Sequence, residues 1–128
     1  MALTGTFLVS GLWPPFGSAV RYLQAWCSYY NYRGEITSGF RSFQEQAALY
    51  ALGRTQNEIL NRVAKHGAGD AVTDAPPGES AHNYGLAIDI SGPDRAQIIE
   101  LARWIGFGLV SWDPEHIEWP NWRLLIRR

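Results

Sequence analysis

In the first third of the chain, apolar residues recur at helical spacing. Val20, Leu23, Trp26, Cys27 and Tyr30 share one face of a helix that Ser18 is positioned to cap, and that face is expected in the core. The segment before it, MALTGTFLVSGLWPP, is apolar without a clear period, and Pro14–Pro15 cut it short of a membrane span, so it is expected as a strand or packing arm. Glu35–Ser38 holds two β-branched residues between Gly34 and Gly39, which predicts a short strand ending in a tight turn, with Arg41 directly after it. Ser42 with Glu45 makes a capping box that opens a helix reaching Leu52 and stopping near Gly53. Thr55 with Glu58 repeats the device for a second short helix carrying Ile59, Leu60, Val63 and Ala64 and ending at Gly67.

From Gly67 to Ser80 the chain is dense in Gly, Pro and Asp, which predicts a surface loop. Leu86–Ile90 is apolar except for Asp89 and predicts a largely buried strand carrying one carboxylate. Pro93 is expected to open a helix through Ile105 with Gly106 as its stop, followed by strands at Leu109–Trp112 and His116–Trp119 around a turn at Asp113–Pro114. Helices and strands mix without a βαβ rhythm. The fold class expected is α+β, with a central antiparallel sheet that carries the site and flanking helices.

At 128 residues the chain is expected to form one domain, residues 1–128, and to act as a monomer. A formal charge of −1, with Lys and Arg scattered except for Arg127–Arg128, argues against nucleic acid as a partner. No stretch predicts a membrane span or a basic signal-peptide start, so synthesis in the cytoplasm is expected, without a membrane partner. Cys27 is the sole cysteine, so an internal disulfide and a thiolate metal cluster are both excluded.

Any metal must therefore use histidine and carboxylate. The densest polar cluster is SAHNYGLAID, where His82 and Asp89 can converge if the loop ends at His82 and the strand carries Asp89. A catalytic zinc site needs a third protein donor and an open position. His116 begins an apolar strand and follows Asp113, whereas His66 sits at a helix end, where a cation complements the dipole; His116 is the expected third donor. The sequences HExxH, GxxxxGK and GxGxxG are absent, and the deaminase pattern lacks its paired cysteines.

These residues resemble the zinc peptidases that include D-Ala-D-Ala carboxypeptidases and the L-alanyl-D-glutamate endopeptidases of phage endolysins. The pattern SxHxxGxAxD is met by Ser80, His82, Gly85, Ala87 and Asp89; SGFRSFQEQAALYALGRT resembles the family's arginine-bearing turn and helix, and DPEHIEW its closing segment. The resemblance implies a hedgehog/DD-peptidase-like fold and Zn2+ held by His82, Asp89 and His116. It further implies Asp113 as catalytic carboxylate and Arg41 as the group that steadies the oxyanion. Strand alternation alone would set Glu118 on the face of His116 as a rival base. The family spacing favours Asp113, with Glu118 orienting His116 and Glu115 in solvent. Ser80 and Tyr84 are candidates for binding substrate backbone, or for packing and hydrogen bonding alone.

The expected function is hydrolysis of a peptidoglycan stem peptide by a phage endolysin-like L-alanyl-D-glutamate endopeptidase, made in the host cytoplasm and acting on the wall after release. Two alternatives remain at this point: a D-Ala-D-Ala carboxypeptidase on the same scaffold, and a non-catalytic wall-binding module.

Overall fold

The computed structural model describes residues 2–62, 65 and 73–126. Two local devices foreseen from sequence are present in full. Ser42 caps α2 (Phe43–Ala51) and Thr55 caps α3 (Gln56–Leu60), each in a reciprocal capping box with the glutamate three residues on. Along α3 the helix ends at Leu60, earlier than the apolar spacing suggested, and Arg62 has a left-handed backbone. Val63, Ala64, His66 and Gly67 lie outside the described residues.

The long helix α1 spans Pro14–Tyr30 and so begins before Ser18, which is not its cap. Proline belongs in a first helical turn, where its fixed φ suits the helix and its missing N–H would have had no partner. Thus Pro14–Pro15 start the helix and do not only end the segment before it. That segment divides into a two-residue strand β1 (Leu3–Thr4) and a 3-10 helix over Thr6–Gly11. Val20, Leu23 and Cys27 of α1 are fully buried, but Tyr30 is about half exposed and Trp26 only partly buried. Both join Tyr22, Tyr29 and Tyr32 in a row of ring contacts on the outer side of the helix.

Three further strands and a helix follow β2 (Gly34–Ser38): β3 (Ala87–Ser91), α4 (Arg95–Ile105), β4 (Gly108–Val110) and β5 (Asp113–Glu118). The sheet order is β1-β2-β3-β5-β4, antiparallel throughout except for the parallel edge pair β1–β2. Gly106, left-handed with φ 112°, ends α4 as expected. The turn between β4 and β5 falls at Ser111–Trp112, whereas Asp113–Pro114, expected as that turn, opens β5. Pairing of β4 with β5 slips between Leu109↔Ile117 and Val110↔Asp113, so Pro114, Glu115 and His116 form an irregular stretch. Proline, with no N–H to give a ladder, is accommodated where regular pairing is broken.

Alternation separates the two faces of the sheet. Ile36, Ile88, Ile90 and Ile117 are buried at 0–1% exposure and join one apolar cluster with Phe16, Val20, Leu23, Ile98 and Ala102 from α1 and α4. Asp89, between Ile88 and Ile90, must then project from the opposite face, as must His116 and Glu118 on either side of Ile117. The chemistry therefore sits on the face that α1 and α4 leave uncovered.

Candidate metal centre and active site

Asp89 and His116 are direct cross-strand partners in the β3–β5 ladder, which brings their side chains together on one face. His82 arrives from a different kind of element, a single 3-10 turn over Ala81–Tyr84. Ser80 caps that turn by accepting from the His82 N–H at 3.3 Å, and Asn83 completes a capping box. Asn83 also donates to the Arg41 carbonyl at 2.9 Å, while the Arg41 N–H donates to the His82 carbonyl at 2.9 Å. Gly85 ends the turn with φ 69°, and a Cβ there would lie 2.7 Å from the Trp13 backbone nitrogen. The pattern SAHNYG is thus a local scaffold whose product is the placement of one imidazole.

His82 Nε2 lies 3.3 Å from Asp89 Oδ2, and His116 Nδ1 lies 3.6 Å from Asp89 Oδ1. One donor atom from each of the three residues falls within 4.8 Å of the others. The remaining ring nitrogens are committed elsewhere. His82 Nδ1 is 2.8 Å from the Gly39 carbonyl, which can only accept, and His116 Nε2 is 2.7 Å from Glu118 Oε1. Each imidazole therefore carries its proton on the outer nitrogen and turns a lone pair toward Asp89 when neutral. Two lone pairs and a carboxylate facing one another repel unless a positive charge lies among them. Two histidine nitrogens with a carboxylate oxygen, each histidine braced by an outer acceptor, suit zinc.

A proton can also supply that charge. Burial pushes the Asp89 carboxyl up, but its contacts with the His116 and His82 imidazoles outweigh burial and hold it well below the usual carboxylate range. Burial of His116 would favour its neutral form, yet Asp89 and Glu118 together raise it to about 9. The group of residues is thus built to hold positive charge.

Arg41 lies beside this cluster, with Nη2 3.7 Å from Asp89 Oδ2. Its guanidinium donates to Ser38 Oγ at 3.0 Å and to Gln46 Oε1 at 2.9 Å. A bulge in β2 sets Ser38 opposite Asp89. Gln46 is fully buried on α2 and its amide donates to the Ala75 carbonyl at 2.6 Å and to Thr73 Oγ1 at 3.2 Å. Sequence reasoning did not single out Gln46. Its only signal was a polar residue in the first turns of a helix directly behind Arg41.

A cavity of about 610 Å³ opens over these groups; Arg41, Ser80, His82, Asp89, Asp113 and His116 all line it. Asp113 accepts from the Glu115 N–H at 3.2 Å, and Glu118 reaches the cavity beside His116. Tyr84 is not among the lining residues. Its hydroxyl donates to the Gly78 carbonyl at 2.7 Å, and its ring packs against Phe43 and Trp122. His66 lies outside the described residues.

Residues 12–113 match the family described as D-alanyl-D-alanine carboxypeptidase (VanY). Among curated proteins, the chain is 52% identical over 56 residues to the peptidoglycan L-alanyl-D-glutamate endopeptidase CwlK of Bacillus subtilis (strain 168). That stretch covers 44% of this chain and 27% of the length of CwlK. Among solved structures, the LD-carboxypeptidase LdcB superposes with a TM-score of 0.54 at 24% identity, over 85% of this chain and 65% of that one. A VanY D,D-pentapeptidase from a VanB-type resistance cassette, solved with Zn(II), superposes with a TM-score of 0.50 at 20% identity, over 84% and 72%. These two likenesses show a shared fold. Since its match extends across most of the chain, from before α1 to Asp113, this protein belongs to the VanY D-alanyl-D-alanine carboxypeptidase family.

Proposed function

We propose that the chain is a zinc metallopeptidase that hydrolyses peptidoglycan stem peptides at the L-alanyl-D-glutamate bond. The observation that carries this reading is the convergence of His82 Nε2, His116 Nδ1 and the Asp89 carboxylate beside Arg41 and Asp113 in one cavity. His82, Asp89 and His116 would hold the zinc, and three protein donors leave a position open for chemistry. Bound zinc supplies Lewis acidity, polarising the scissile carbonyl and bringing the pKa of a water down to ~7.

The protein's own residues supply the rest. Asp113 takes a proton from the attacking water and returns it to the leaving nitrogen. Arg41, fixed by Ser38 and Gln46, stabilises the oxygen that gains negative charge. Glu118 holds the His116 ring so that Nδ1 faces inward. Ser80, on the cavity wall, is the candidate for a contact to substrate backbone, and Tyr84 supports the wall through Gly78 and Trp122.

Identity to CwlK favours the endopeptidase, and the wording HNYGLAID of residues 82–89 favours an endolysin-like branch. The family description of residues 12–113 favours a second reading, a D-Ala-D-Ala carboxypeptidase. Among the described residues no helix is long and apolar enough to cross a membrane. The proposed place of action is the peptidoglycan of the wall, with the protein acting as a monomer.

Digestion of purified peptidoglycan, with new termini identified by mass spectrometry, tests the proposal. New alanine C-termini and glutamate N-termini are expected, abolished by a chelator and restored by zinc. Release of free D-alanine alone would overturn the endopeptidase reading, and activity indifferent to chelation would overturn the metal.

A further inference from the structure

The described wall of the cavity is acidic: Asp74, Glu79, Asp89, Asp113 and Glu118 all contribute to it. Away from the His82–Asp89–His116 cluster and the metal it would hold, a substrate carboxylate is favoured only near the wall's two arginines, Arg41 and Arg123. Arg41, held by Ser38, Gln46 and the nearby Asp89, is taken by the oxyanion role proposed above. Asp74 is paired with Arg54 and Glu79 with Arg62, so these carboxylates have cations of their own. Arg123 has no carboxylate partner among the described residues.

Arg123 is exposed and rests on one ring. Its Cζ lies 4.5 Å above the centroid of the Trp122 ring, a cation–π contact that leaves the N–H edges of the guanidinium available. Trp122 is a firm platform, 3% exposed, with its ring 5.9 Å from that of Tyr84. Tyr84 in turn is fixed through its hydroxyl to Gly78 and through its ring to Phe43. A planar fork of donors stacked on a buried ring suits a carboxylate.

Substrate chemistry supplies the ligand. A D-glutamyl residue joined onward through its side-chain carboxyl keeps its α-carboxylate on the carbon that bears the scissile nitrogen. A C-terminal D-alanine carries its carboxylate at the same position. We infer that Arg123, braced on Trp122, is the subsite for this free carboxylate on the leaving residue. The inference rests on the peptidase reading above and applies to either bond.

The test measures kcat/KM for two pairs of peptides with zinc-loaded wild type, R123Q and R123K. One pair contains an alanyl-γ-D-glutamyl bond with the glutamyl α-carboxyl free or as its carboxamide. The other ends in D-alanyl-D-alanine as free acid or amide. For the pair that is cleaved, wild type should prefer the acid by roughly 10- to 100-fold, the size of a charge-assisted hydrogen bond. In R123Q the acid-to-amide ratio should fall close to one, mainly through KM, and R123K should restore part of it. Because the ratio is taken within one preparation, a loss of folded protein cancels. A ratio near one in wild type, or one that persists in R123Q, overturns the subsite while leaving the peptidase reading standing. Cleavage of the D-alanyl-D-alanine pair alone overturns the endopeptidase reading, and the same ratio on that pair still decides for or against Arg123. Cleavage of neither pair overturns both.

Discussion

Glu118 Oε1 lies 2.7 Å from His116 Nε2, two residues back on the same strand and on the same face. Alternation along β5 thus delivers a carboxylate to the outer nitrogen of the imidazole whose inner nitrogen faces Asp89. Glu118 is therefore placed to orient a donor, with its near oxygen already engaged. Substituting Glu118→Gln should weaken zinc binding about 10- to 100-fold, the usual cost of losing an outer partner of a ligating histidine. Competition with a chromophoric chelator measures this, and saturating zinc should restore much of the activity. Unchanged zinc affinity would remove Glu118 from this role.

Asp113 reaches the cavity from the first residue of β5, where it accepts a hydrogen bond from the Glu115 N–H. Replacing it with alanine should lower kcat by roughly 10²- to 10⁴-fold, the range for loss of a positioned general base. Zinc content should stay at the wild-type level. Loss of bound zinc in Asp113→Ala would mean that the carboxylate serves the metal, and full activity would exclude it as the base.

The charge pattern around Asp89 makes stability depend on pH and on zinc in opposite senses. Asp89 is depressed below its ordinary 3.8, so its contribution is present above that pH and is lost as pH falls through its folded value. His116 is raised from 6.5 to about 9, so its contribution is complete below 6.5 and is lost as pH rises through 9. For the chelator-treated protein, these groups therefore favour the folded state most between 3.8 and 6.5. Zinc held at this site would displace the His116 proton, so its binding should strengthen as pH rises toward 9. Thermal denaturation from pH 5 to 9.5 should show Tm falling in chelator above 6.5 while the gap between zinc and chelator curves widens. A gap independent of pH would contradict the raised His116.

Gln46 connects the arginine to the loop that forms the cavity wall, and it does so while fully buried. Truncation to alanine leaves Arg41 Nη1 and the Ala75 carbonyl without this partner. An orphaned buried polar group costs about 1–3 kcal/mol, so a clear fall in Tm is expected. A loss of kcat should accompany it, because the guanidinium is no longer held between Ser38 and Gln46. Calorimetry and steady-state kinetics on Gln46→Ala check both, and a variant with wild-type kcat would show that Arg41 does not depend on this contact.

Features that depend on residues a few positions apart were legible before the fold was known. The capping boxes at Ser42 and Thr55, the stop at Gly106 and the isolation of Asp89 within an apolar strand all follow from local hydrogen bonding and strand alternation. Where the local reading missed, a tertiary contact or a backbone constraint had decided. Pro14–Pro15 begin α1, and Asp113–Pro114 open β5 because the turn lies at Ser111–Trp112 and the ladder is irregular around Pro114. Trp26 and Tyr30 have core spacing but lie beside other rings on the outer side of α1.

The sequence by itself determined which residues could serve as donors, because one cysteine and few histidines leave little choice and the spacing around His82 builds its own turn. Only the tertiary structure decided how those donors meet. The β3–β5 register sets Asp89 against His116, the Gly39 carbonyl turns His82 Nε2 inward, and Gln46 ties Arg41 to the Ala75 carbonyl across the cavity wall. The contacts of His116 to Asp89, of His82 to Gly39 and of Gln46 to Ala75 join residues far apart in the chain, so no local pattern encodes the geometry that makes these side chains a site.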